Sequence, residues 1–295
     1  MLDVHAHLSE YEVIGYLGGF CFESKATNQR YIIIQSAVPC ESLIDDPNER
    51  KRNVDLCPES ADRAHSQILN KGQKLVGWYH SHPFFPVEPS LIDVRNHNLH
   101  QQRFENEGLP YLAAIIGPYT QKSKTESLLK IFHLVGGGPK SAQSKEPPLP
   151  KPFELPYKML PCTKLRKSFF EVEIKNLIGY YRGHKDLINL KVRWGGGPAN
   201  STSSTSQAKT REDKLLEAVQ LILQRNRDSA ADRQRILRDM VDSLTDQDRD
   251  TYFARSIPKS LVNDLGEIPT DTELLTTHSC DFQIHFRDQP ETGLP

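Results

Sequence analysis

Residues 77–94 read GWYHSHPFFPVEPSLIDV, and the order of polar groups in this stretch governs how the rest of the chain is read. An apolar, aromatic lead-in reaches His80, Ser81 and His82. A proline-rich turn follows, and Ser90 and Asp93 stand at the head of a polar helical pattern. The segment 74–82 predicts a strand, and 90–105 predicts a helix opened by Ser90. Histidines at i and i+2 of a strand share one face, so both imidazoles can reach a single ion. The proline-containing loop lets the chain turn back and bring Asp93 beside them.

Two imidazoles and one carboxylate leave one tetrahedral position of zinc open, which is the pattern of a catalytic site and not of a closed structural one. Such a centre acidifies a bound water and polarises a carbonyl. It still needs a proton carrier that hydrogen-bonds the water without ligating the metal. Glu12, just ahead of a glycine-punctuated segment, is the candidate, and Ser90 is the candidate hydrogen-bond donor to a developing oxyanion.

Plainer readings compete with these assignments. Ser90-x-x-Asp93 is also a capping-box pattern, in which the serine caps the helix and the aspartate favours its N-terminal dipole. His-x-His on a strand is common without a metal, and His5-Ala6-His7 reads as part of a short N-terminal helix. The conjunction decides: all four fixed positions of H-x-H-x7-S-x2-D arise by chance in such a chain roughly once in several hundred. His97 and His100 read as solvated residues of the helix after Asp93. Asp45, Asp46 and Glu49 read as a solvated loop, since their spacing lacks the ligand pattern of a calcium loop.

Outside this stretch, 37 basic and 38 acidic residues give a net charge of -1, so no overall positive field draws nucleic acid or an anionic membrane. No run approaches the ~20 apolar residues of a membrane span. The start, MLDVHAHLSEYE, lacks the charged-then-apolar order of a leader, so an intracellular protein of nucleus or cytoplasm is expected. The five cysteines are scattered and never in C-x-x-C spacing, which favours reduced, mostly buried thiols and singles out no nucleophile.

Strands are expected at 13–22, 31–38, 111–117 and 128–135 and a helix at 58–70, which makes an α/β or α+β domain over residues 1–160. A loop at 136–152 is read as mobile. Beyond it follow a helical extension (161–194), a flexible Gly/Ser/Thr linker (195–210), C-terminal helices (211–264) and a disordered tail (265–295). The linker is long enough that the later helix need not lie beside the earlier one.

EVIGYLGG (12–19) followed by GWYHSHPFFPVEPSLID (77–93) resembles the motif of the JAMM (MPN+) metalloprotease family. Within that family the opening DVHAHLSEYEVIGYLGG is most similar to the branch of MPN domain-containing proteins and histone deubiquitinases. The resemblance implies a cytidine-deaminase-like core with a mixed sheet flanked by helices. It also implies zinc on His80, His82 and Asp93, Glu12 as general acid/base and Ser90 as oxyanion helper. The implied activity is cleavage of ubiquitin isopeptide bonds, with a ubiquitin-modified protein as substrate and histone among the candidates. A catalytically silent or partner-dependent scaffold or chromatin adaptor is the alternative. The family's strand or longer helix before the DVHAHLS stretch has no counterpart here, so a protein partner that completes a sheet edge is also expected.

Overall fold

The computed structural model describes residues 1–24, 29–120, 126–136, 149–159, 167–194, 209–225, 231, 234–239 and 282–286. Helix α1 (Leu2–His7) leads into a hairpin of β1 (Ile14–Ser24) and β2 (Gln29–Cys40). A short α2 (Pro47–Arg50) and α3 (Pro58–Asn70) precede β3 (Lys74–Ser81), α4 (Leu91–Asn106), β4 (Leu112–Gly117) and β5 (Leu128–Val135). Then come β6 (Lys151–Glu154), β7 (Tyr157–Met159), α5 (Lys167–Tyr181), α6 (Arg211–Arg225) and β8 (Phe282–Phe286).

Six strands run in the order β6-β5-β4-β3-β1-β2, and β8 and β7 continue the sheet beyond β2. Only the β3–β4 pair is parallel among the described strands. Parallel neighbours need a crossover, and α4 supplies it. The result is the α/β fold with a mixed sheet flanked by helices that the sequence predicts.

The sheet buries both faces. Leu112, Ala114 and Ile116 of β4 join one apolar cluster with Val4 and Ala6 of α1, Ile174, Leu177 and Ile178 of α5, and Leu215, Val219 and Leu223 of α6. Ala113 and Ile115, on the alternate positions, join the other with Ala64 and Ile68 of α3 and Val94 of α4. The two-residue period of β4 thus feeds two helical layers, and its six residues are all buried.

A bulge sets the aim of β3. Leu17 pairs with Gly77 but Gly18 pairs with Leu75, so Val76 is the extra residue. The alternation slips by one, and Val76 and Tyr79 lie in the first cluster while Leu75 and Trp78 lie in the second. Gly77 lets β3 approach its parallel neighbour, since a Cβ there would come within 2.4 Å of the Leu112 carbonyl oxygen. Helix α3 ends as expected, with Gly72 at φ +70° just beyond it.

Several expectations change. Lys151 and Pro152, expected in the mobile loop, belong to β6, where they pair with Val135 and Leu134. A proline-containing tetrapeptide carries almost no strand signal, yet a proline is tolerated on an edge strand, which need not donate on its outer side. Residues 137–148 lie outside the described residues. Within the expected tail, Phe282–Phe286 pairs with β2 and β7, and the apolar-polar alternation of FQIHF accounts for it. The rest of 265–295 lies outside the described residues, as do 195–208. The ends of that linker meet, with Trp194 N–H donating to the Lys209 carbonyl at 2.7 Å and Arg211 N–H to that of Val192 at 3.0 Å. Helix α6 therefore sits beside the segment that precedes the linker.

Candidate metal centre

Trp78 and His80 alternate at the end of β3 and His82 follows just past it; Trp78 bonds His97 of α4, and both histidines meet Asp93 in the first turn of that helix. Across the sheet Ile14 of β1 lies opposite His80, and beyond it Val13 N–H donates to Ser81 Oγ while Ser81 N–H donates to the Val13 carbonyl, each at 2.9 Å. Glu12, two residues before Ile14, gives its N–H to the Arg50 carbonyl at 3.4 Å, and its buried carboxyl feels the charges of His80 and Asp93. From the opposite side, the first turn of α4 presents Asp93.

The capping box at Ser90 fixes that aspartate. Ser90 Oγ accepts from Asp93 N–H at 3.1 Å, and Ser90 N–H donates to Asp93 Oδ2 at 2.6 Å. Asp93 Oδ1 then lies 3.3 Å from His80 Nε2, and Oδ2 lies 3.9 Å from His82 Nε2. The two histidine Nε2 atoms are 3.1 Å apart. The plain capping reading and the ligand reading of this motif are thus the same geometry: the cap turns one carboxylate oxygen toward the imidazoles. Accepting from Asp93 leaves the exposed Ser90 hydroxyl its own proton to donate.

His82 Nδ1–H donates to the Pro86 carbonyl at 2.6 Å, which leaves the Nε2 lone pair facing the centre. His80 has no such prop, since its buried Nδ1 has no hydrogen-bond partner. The Trp78 indole orients it, stacked at 4.8 Å with an interplanar angle of 17°.

One donor atom from each of His80, His82 and Asp93 falls within 4.8 Å of the others. Ligands bound tetrahedrally to zinc at ~2.0–2.1 Å are ~3.3 Å apart. The 3.1 and 3.3 Å separations fit that spacing, and the donor set is one that zinc accepts. Glu12 is 3% exposed, and burial pushes its carboxyl up to about 7; the His80 imidazole opposes the rise and Asp93 adds to it. Burial pulls the His80 imidazole down, but Asp93 and then Glu12 outweigh it and raise it. Burial, with the neighbouring His80, lowers His82 to about 4. Asp93 resists burial through His80 and Ser90 and stays well below the usual carboxylate range.

His97 is a correction: it is fully buried, not solvated. Its Nδ1 accepts from Trp78 Nε1–H at 3.1 Å, and it packs between the rings of Tyr111 and Phe132. Burial first, and then nearby histidines, lower it to about 3. Its place one helical turn after Asp93, on the same face of α4, is the sequence signal for this. His100 is exposed as expected, and so are Asp45, Asp46 and Glu49. Burial raises the Cys40 thiol to about 12 and Cys21 to about 11, opposite to what a nucleophile needs. Cys162 and Cys280 lie outside the described residues.

No described helix is long and apolar enough to cross a membrane. Residues 1–106 match the family model for the JAB1/Mov34/MPN/PAD-1 ubiquitin protease. An MPN domain-containing protein of Danio rerio is 29% identical over 202 residues, which is 66% of this chain and 40% of that protein. The histone deubiquitinase MYSM1 of Xenopus laevis is 35% identical over 123 residues, 42% of this chain and 14% of that protein. Human deubiquitinase MYSM1 is 32% identical over a stretch of the same length. The chain thus spans well under half the length of these relatives. The ligand-type residues His80, His82 and Asp93, and Glu12 with them, lie inside the matched stretch, so it is residues 1–106 that are similar to the JAB1/Mov34/MPN/PAD-1 domain.

Proposed function

We propose that the chain is a zinc-dependent isopeptidase of deubiquitinase type, which hydrolyses the amide bond between a ubiquitin C-terminus and a substrate lysine. The reading is carried by one observation: His80, His82 and Asp93 converge from a strand end and a helix start, with the buried carboxyl of Glu12 beside them. His80 Nε2, His82 Nε2 and an Asp93 oxygen would hold zinc. When bound, the ion would acidify a water and polarise the scissile carbonyl.

The protein's own groups do the rest. Glu12 lies close enough to His80 and Asp93 to feel their charges without being one of the three ligand-type residues, which suits it to take a proton and give it back. One carboxylate oxygen accepts the proton of the attacking water and then delivers it to the departing lysine nitrogen. The Ser90 hydroxyl donates to the carbonyl oxygen as negative charge gathers there, an interaction worth about 3 kcal/mol in comparable sites. The names of the MYSM1 relatives make a ubiquitinated histone a substrate to test.

The experiment joins elemental analysis of the purified chain to cleavage of ubiquitin chains and ubiquitinated nucleosomes, with and without a chelator. One zinc per chain and chelator-sensitive cleavage are expected. Glu12→Gln should keep the zinc and lose turnover by roughly 10²–10⁴-fold. Zinc without cleavage would favour the scaffold reading, and a metal-free chain would overturn the isopeptidase.

A further inference from the structure

The matched family region ends at residue 106, yet a later segment reaches the candidate proton carrier. In the stretch after α5, Ile188 N–H donates to the Leu8 carbonyl at 3.0 Å, and Ser9 bridges to Leu187. Beside this seam the guanidinium of Arg50 meets the Asp186 carboxylate in an ion pair whose side chains are 9% and 6% exposed. The same guanidinium lies over the Tyr11 ring, 5.0 Å from its centroid. The Arg50 backbone carbonyl accepts from Glu12 N–H at 3.4 Å. Arg50 thus holds the Glu12 backbone with its own backbone and the adjacent Tyr11 ring with its charge, while Asp186 holds Arg50.

We propose that Asp186 is a positioning residue for Glu12, acting through Arg50, so that the segment 184–190 belongs to the catalytic unit. The proposal rests on the isopeptidase reading above for its kinetic consequence, but not for its structural one. The chemistry fits. Glu12 must lie within hydrogen-bond reach of a water it does not hold by ligation, so its place depends on its backbone. The metal triad has local supports of its own in the capping box, the Pro86 carbonyl and the Trp78 ring. Glu12 precedes its strand, and its backbone tie to Arg50 connects it to a residue that Asp186 alone neutralises among the described ion pairs.

The test compares the full chain with Asp186→Asn, which removes the charge and keeps the shape, and Asp186→Glu, which keeps the carboxylate. Hydrogen exchange is read at residues 8–13 and 80–93, alongside zinc content and the kcat and KM for a ubiquitin isopeptide substrate. In Asp186→Asn, exchange at 8–13 should quicken about tenfold or more while 80–93 stays protected. Zinc content and KM should hold while kcat falls on the order of tenfold to a hundredfold. Asp186→Glu should recover much of both. Unchanged protection at 8–13 in a folded Asp186→Asn would overturn the proposal, as would a loss spread equally over both stretches. If Asp186→Asn does not fold, Arg50→Lys, which keeps a cation opposite Asp186, carries the same comparison. If the wild-type chain cleaves nothing, the isopeptidase reading fails, and the exchange pattern alone decides the positioning role.

Discussion

The chain holds two His-x-His pairs, His5/His7 and His80/His82, and all four imidazoles are at most 2% exposed. The resemblance ends there. On α1 two residues span about 200° of helix, so the rings diverge. His5 bonds the hydroxyls of Tyr79 and Tyr181 at 2.8 and 2.9 Å, tying α1 to the sheet and to α5. His7 turns to the Asp3 carbonyl and the Tyr119 ring. On β3 the same spacing places both rings on one face with their Nε2 atoms 3.1 Å apart and a carboxylate beyond. The secondary structure beneath the motif, and the third group it meets, separate a pair that ties helices together from a pair arranged as candidate ligands.

The largest effect expected from this contrast is in metal content. His80→Ala or His82→Ala should take zinc from one per chain to nearly none and abolish cleavage, because two ligands cannot close the site. His5→Ala should leave zinc in place. It instead strands two buried tyrosine hydroxyls and opens a gap between α1 and α5, at a cost of about 2–4 kcal/mol. Elemental analysis and a denaturant midpoint on the same samples separate the two outcomes. Loss of zinc from His5→Ala would erase the distinction between the pairs.

A medium effect is expected in the pH dependence of stability. Burial, and then the nearby N-terminal ammonium, lower His5 to about 3. An unfolded chain protonates this ring near pH 6.5, so between 6.5 and about 3 the unfolded state binds more protons than the folded one. The contribution of the neutral buried ring is therefore complete above pH 6.5 and is lost as pH falls toward 3, at up to about 1.4 kcal/mol per pH unit. His5→Gln cannot be charged in either state. Chemical denaturation at pH 7, 6 and 5 with chelator present should show a shallower fall for His5→Gln than for the wild type. Equal slopes would mean that His5 titrates alike in both states.

The candidate ligand pair is legible in the sequence because its determinants are local: a strand, a proline turn and a capped helix start within residues 77–94 supply three ligand-type side chains. Strands β1 to β5 and helices α3 to α6 are legible from period and punctuation. What the sequence conceals lies at long separation. Nothing near Arg50 announces Asp186, 136 residues away, and a Gly/Ser/Thr linker says nothing of where its two ends meet. His97 reads wrongly because a polar residue on a mostly polar helix looks solvated until the indole that bonds it is in place. Strand β6 is hidden by its proline, and β8 by its distance from any partner in the chain.

The smallest expected effect tests whether burial alone gives His7 weight. Its Nε2 is buried without a hydrogen-bond partner, while its Nδ1 bonds the Asp3 carbonyl in its own helix at 2.8 Å. The Tyr119 ring meets it edge to face at 5.4 Å. Phenylalanine keeps that ring contact, forfeits the Nδ1 contacts to the Asp3 carbonyl and, at 3.2 Å, to the Asp3 carboxylate, and removes a desolvated nitrogen. The two polar terms oppose each other, so His7→Phe should change the denaturant midpoint by the equivalent of about 1 kcal/mol or less. It should leave zinc content untouched. A loss as large as that of His5→Ala would mean that the His7 Nε2 has a partner in solution, such as a buried water, and the two rings of α1 would then carry equal weight.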